Sequence, residues 1–227
     1  MFQRVLLVIC CFICAGNAAR CDPQTREWDP EYVSRTASHA LSFGHAERGI
    51  AAFGSLKGAC ISCHRIGRHG GTVGPDLSKI GKERKPEEII ESILWPSRKV
   101  ADEYKTVILL TRDGLQVKGY ADRNTAGHIS VRDPATGKVT HVPETNIEEQ
   151  IAGGTLMPDE LSTAMTAQQL HDVVRFLSSL GTGHAPDPQL VDTVLSHSLS
   201  HAPAQFPFDL RPLQPDIYPH HHHDVNR

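Results

Sequence analysis

The stretch GACISCHRIG, residues 58–67, places Cys60 and Cys63 three positions apart with His64 directly behind the second cysteine. No other feature constrains the chain so far, because this triad admits three chemistries: a redox dithiol, half of a zinc site, or an attachment point for haem. A thioredoxin-like dithiol wants a βαβ setting. Upstream of Cys60, however, residues 46–57 (AERGIAAFGSLK) read as a helix and not as a strand. Zinc needs four ligands at set spacings, and no second CxxC completes this one, so Cys21 and a distant histidine would have to be recruited. The third reading uses every residue. Thiols at i and i+3 reach the two vinyl groups of one porphyrin, and the adjacent imidazole is delivered to its iron. CxxCH alone recurs by chance, so the reading depends on the rest of the chain.

The N-terminus supplies the first context. Arg4, the apolar run Val5–Ala15 and the small residues Gly16-Asn17-Ala18-Ala19 form a secretory signal over 1–19. The run is 11 residues long, well short of the about 20 needed to cross a bilayer. No transmembrane helix is expected after cleavage, and the chain is expected in the periplasm or otherwise exported. Cleavage removes Cys10, Cys11 and Cys14, leaving Cys21, Cys60 and Cys63, too few for a disulfide framework. Arg20 in front of Cys21 speaks against lipid anchoring there. The length of 227 residues allows one ordinary domain with appendages or two small ones, and a net charge of −3 without a basic stripe gives no reason to expect nucleic acid.

Two further motifs bear on the triad. A ligating imidazole needs an acceptor for its other ring nitrogen. Gly74-Pro75-Asp76-Leu77, in a glycine-rich loop about ten residues past His64, offers the stiffly held carbonyl of Pro75. Gly-Pro-Asp also reads as a simple turn, and both readings are compatible. Leu77 of the same motif is counted with Pro75 among the cofactor-binding residues. For a sixth ligand, the chain beyond the signal contains the thioethers Met157 and Met165. Met157 lies in Gly153-Gly154-Thr155-Leu156-Met157-Pro158, expected to be an irregular loop. Met165 stands at the threshold of a helix opened by the capping box Thr166–Gln169 and carried by Leu170, Val173, Val174, Leu177 and Leu180, where packing is its expected role. His69, His128, His141 and His171 are the imidazole rivals, and an open sixth site is the other possibility.

Taken in order, helix 46–57 with Gly49 and Phe53, CISCH, GPDL, LMP and a closing helix with Phe176 and Leu177 resemble a class I cytochrome c over about residues 44–181. The resemblance implies one covalently bound haem c held by Cys60 and Cys63, axial ligands His64 and Met157, and the Pro75 carbonyl accepting from His64. It also implies that the two helices cross through Gly49, Phe53 and Phe176. A departure is the span of 92 residues between His64 and Met157. Part of it is a helix, Pro86 to Trp95, ended by Pro96. The rest reads as four antiparallel strands at 105–111, 115–121, 128–132 and 138–142, with Asp113-Gly114 as the hairpin signal. Such an insert is similar to the haem-binding domain of the Pirellula/Verrucomicrobium type.

The expected fold is therefore mainly α: a cytochrome c-like helical fold with an antiparallel β insert at about 104–143, α+β taken as a whole. A linker at 20–43 precedes it, and an extended Pro/His-rich tail over 182–227, with one short helix at 191–201 as an option, follows. The expected function is that of an exported monohaem c-type cytochrome transferring electrons, not an enzyme. Its donor and acceptor would be redox proteins such as a periplasmic dehydrogenase or a respiratory complex. The alternative is a haem-based ligand sensor or peroxidase-like enzyme with an open sixth site, and a zinc-dependent structural module is a third class.

Overall fold

The computed structural model describes residues 27–55, 60–122, 127–159 and 164–200. The expected signal segment, Cys21 and the histidine-rich end beyond 200 lie outside the described residues. The first helix, α1 (Pro30–Phe43), opens with Asp29 accepting from the Glu31 amide and proline in its first turn, and it buries Val33, Thr36, Ala37 and Ala40. It occupies most of the segment expected to be a linker. Small residues form its buried face, so the sequence shows little hydrophobic contrast there. Next comes α2 (Ala46–Gly54), which ends before the expected limit at 57. A single turn, α3 (Cys60–Cys63), is followed by the short pair β1 (Arg65–Ile66) and β2 (His69–Gly70), the turn α4 (Ile80–Glu83) and the helix α5 (Pro86–Leu94).

The strands are β3 (Thr106–Thr111), β4 (Gln116–Ala121), β5 (His128–Arg132), β6 (Val139–Pro143) and β7 (Ile147–Gly154). They form one antiparallel sheet in the order β6-β5-β4-β3-β7. The β3–β4 hairpin closes on Gly114, whose φ of 82° is open to glycine at no steric cost. Val107, Leu109, Ile129, Val131 and Val142 make a separate apolar cluster on this sheet. Two helices complete the described chain, α6 (Ala167–Ser179) and α7 (Pro188–Ser200).

The fold class is corrected by these elements. About 45% of the described residues are helical and 22% are strand, a mixed α+β fold and not the mainly α cytochrome c-like fold expected. The sheet is larger than the insert expected at about 104–143 because β7 adds a fifth strand along β3. Seven of its eight residues are exposed, so its sequence carries no alternation to announce it. The residues Gly153 and Gly154, expected in an irregular loop, end this strand. The tail is likewise not wholly extended, since α7 packs Leu195 into the helical core.

Among the helices, the tightest crossing is that of α2 over α6. A Cβ added at Gly49 would run into the Asp172 carbonyl and the root of Phe176, so only glycine lets the two backbones come so close. Beside it, the Phe53 and Phe176 rings meet edge to face at 6.1 Å, both with 1% exposure or less. The crossing is clamped by Asp172, whose carboxylate accepts from the His45 amide at 2.8 Å, from Arg48 Nε and Nη2 at 2.8 and 3.0 Å, and from Gln168 at 3.0 Å. Burial works to raise the Asp172 carboxyl, but these hydrogen bonds and the Arg48 charge hold it below the usual carboxylate range. The capping box at the start of α6 is formed by reciprocal bonds between Thr166 and Gln169. Among the described residues no helix is long and apolar enough to cross a membrane.

Candidate functional site

The turn α3 is fixed from behind by the backbone. The His64 amide donates to the Cys60 carbonyl at 2.8 Å, while the chain returning through β1 and β2 sends the Gly71 amide to Ile61 O and the Gly74 amide to Cys63 O, at 2.9 and 2.8 Å. The Leu77 amide then donates to Arg65 O at 2.8 Å, and the Arg65 guanidinium meets Asp76 at 2.8 Å across the loop. Ile61 and Ile66 anchor the turn and loop in the helical core. The 64–77 segment is thus a closed loop strapped to the cysteine turn, with Gly74 and Pro75 laid against His64.

His64 Nδ1 lies 3.0 Å from the Pro75 carbonyl oxygen. A carbonyl can only accept, so Nδ1 carries the proton and Nε2 of the neutral ring keeps its lone pair. Burial pushes the His64 imidazole below its ordinary pKa, with the Pro75 hydrogen bond opposing. A Cβ at Gly74 would stand 2.5 Å from the ring Cε1, which shows how closely the glycine covers the imidazole. Burial also pushes the Cys60 thiol up to about 11 and raises Cys63. An activated dithiol needs the opposite displacement, so this environment does not suit the redox-dithiol reading. The two cysteines are not joined in a disulfide.

In front of the turn lies a cavity of about 650 Å³ lined by Cys60, Cys63, His64, Pro75, Leu77 and Met157 together. Its volume falls within the range of about 300–1,000 Å³ typical of small-molecule and cofactor sites. All the site residues expected from the sequence are therefore brought to one wall or another of the same space. Among the described residues that line it, His64 carries the only imidazole and Met157 the only thioether. Met157 is half-buried against the helical core, and its amide donates to Thr155 Oγ1 at 3.1 Å, which turns the chain after β7.

The rivals are placed elsewhere. Met165 packs against the core outside the cavity. His69 Nε2 is 2.7 Å from Asp192 of α7, His141 Nδ1 is 2.8 Å from Ser130 Oγ, His171 lies beside His39, and His128 is on β5. Among the described residues no group of three or more His, Cys, Asp or Glu side chains is arranged to hold a metal ion. Cys60, Cys63 and His64 do not present their donors to one point in the manner of a zinc site.

The structure adds wall residues that the sequence reading did not single out. Ile89, Ile93 and Trp95 come from α5 and its end, and Tyr104 and Tyr120 come from the sheet side. The α5 residues had a signal, the apolar stripe of that helix, but nothing in the sequence says that this stripe faces a cavity. In comparisons with known proteins, no family model matches the chain and no curated protein matches it.

Proposed function

We propose that the protein is an exported c-type haem protein that carries electrons, with one haem held covalently by Cys60 and Cys63 and ligated by His64 and Met157. The observation that carries this reading is the shared cavity: two neutral thiols on one helical turn, an imidazole whose Nε2 lone pair is available, and a thioether line the same space. The reading rests on this site and not on the overall fold.

Haem supplies one-electron oxidation and reduction. Cys60 and Cys63 would hold it covalently through their free thiols. His64, held by the Pro75 carbonyl, and Met157, presented by the turn after β7, would be its two protein ligands, leaving no iron position for a substrate. A thioether ligand favours the reduced state, so the midpoint potential is expected to be relatively high. Leu77, Ile89 and Ile93 give the pocket apolar wall, which would act in the same direction. No side chain has to move a proton. Export follows from the N-terminal sequence, and redox proteins of the periplasm, a dehydrogenase or a respiratory complex, are the proposed partners.

The test is to express the chain in a periplasm with a c-type haem maturation system and record oxidised and reduced visible spectra of wild type and Met157→Ala. A far-red methionine-to-iron band present in wild type and absent in the variant supports the His/Met carrier. A red protein whose spectrum is indifferent to the substitution, and which binds carbon monoxide, would overturn it in favour of an open-site sensor or peroxidase.

A further inference from the structure

We propose that Tyr120 is a positioning residue for His64, so that the β-sheet sets the orientation of the imidazole through a single buried hydroxyl. The proposal rests on the haem reading above and gives the sheet a part in the cofactor site.

The Tyr120 hydroxyl donates to the Val73 carbonyl at 2.7 Å, in a bond buried from solvent and closed across 47 residues of chain. Val73 is the first of three consecutive residues that each make a different contact with the cysteine–histidine segment or with the sheet. Gly74 sends its amide to the Cys63 carbonyl at 2.8 Å and covers the His64 ring. The Pro75 carbonyl takes the proton of His64 Nδ1 at 3.0 Å. With the proline ring restricting its own φ and Gly74 pressed on the imidazole, a shift of Val73 is passed directly to the acceptor two residues on. Among the described hydrogen bonds, the one from Tyr120 is what ties the loop to the sheet at Val73.

Tyr120 is suited to this task because it is itself held on several sides. Its exposure is 2%. Its backbone is paired to Thr106 on one flank and Arg132 on the other. The Tyr104 ring meets it edge to face at 5.6 Å, and the Arg132 guanidinium lies 5.0 Å over its ring. A hydroxyl on so fixed a frame acts as a stop for the loop, in the way that outer hydrogen bonds orient a ligating histidine.

The experiment compares the full chain with Tyr120→Phe, which keeps the ring contacts and removes only the oxygen, and with Ser130→Ala. The second variant removes a buried hydroxyl of the same sheet whose partner is His141. In Tyr120→Phe the Gly74 amide is expected to exchange on the order of tenfold faster than in wild type, because the Val73 carbonyl has lost its buried donor. In the haem-loaded protein the midpoint potential is expected to rise as the imidazole loses basicity, with Ser130→Ala unchanged in both respects. Coincidence of Tyr120→Phe with wild type in exchange and potential would overturn the proposal, as would equal shifts in Ser130→Ala. A wild-type chain that attaches no haem would refute the haem reading alone. Gly74 exchange on that haem-free chain would still decide whether Tyr120 holds the loop.

Discussion

Substituting Gly49 by alanine opposes two physical effects that differ in sign. Gly49 is inside α2, where helix propensity alone makes alanine more stable by about 1 kcal/mol. Packing gives the reverse. The new methyl would run into the Asp172 carbonyl and stand 2.6 Å from Phe176 Cβ. One of these is backbone and the other the root of a side chain, so neither can swing aside. The helices α2 and α6 must separate, which also stretches the bonds that bind His45 and Arg48 to Asp172. With rigid neighbours, overpacking should cost about 3 kcal/mol, the top of its usual range. After the propensity gain, Gly49→Ala is expected to be less stable by about 2 kcal/mol, lowering Tm by about 4–8 °C for a chain of this size. Urea and thermal unfolding followed by circular dichroism, on samples of equal haem content, would read this. A midpoint equal to or above that of wild type would refute the close-packed crossing.

Two further outcomes follow from the same geometry. Asp172 titrates below its ordinary value in the folded chain, so its stabilisation is present above the unfolded carboxylate pKa of about 3.9 and is lost as pH falls through the folded value. Asp172→Asn should lower stability near neutrality by about 1.5 kcal/mol and flatten the acid limb below about pH 4, and an unchanged acid limb in an unfolding series would contradict this. Gly74→Ala would place a methyl 2.5 Å from His64 Cε1, and is expected to leave haem attached through the cysteines while displacing the imidazole. Carbon monoxide binding by the reduced variant would report the displacement, and a spectrum identical to wild type would count against it.

Much of the site was legible in the sequence because its chemistry is local. Cys60, Cys63 and His64 are contiguous, and Pro75 is close enough in the chain for its carbonyl to be inferred as the partner of His64 Nδ1. The helix α6 was legible from a capping box followed by branched apolar residues at helical spacing. The elements that were missed lack contrast. The buried face of α1 includes Ala37, Ala40 and Thr36, which stand out little from their neighbours, although Asp29-Pro30 is a helix-start signal. Strand β7 has an exposed and largely polar sequence and is defined by its pairing with β3. In the Pro/His-rich tail the sequence offers a short helix at 191–201 only as an option; α7 starts earlier, where Asp187 accepts from the Gln189 amide and Pro188 stands in the first turn, and Leu195 buries it. Tyr120 could not be placed from sequence because its partner, Val73, is distant in the chain and the bond depends on how the sheet docks.

The central claim is that Cys60 and Cys63 hold a haem covalently. The most direct measurement is the absorption of the periplasmically matured chain after full denaturation and acid–organic extraction. The account predicts that the haem spectrum stays with the polypeptide at one haem per chain. A colourless polypeptide, or pigment that leaves with the solvent, would contradict it.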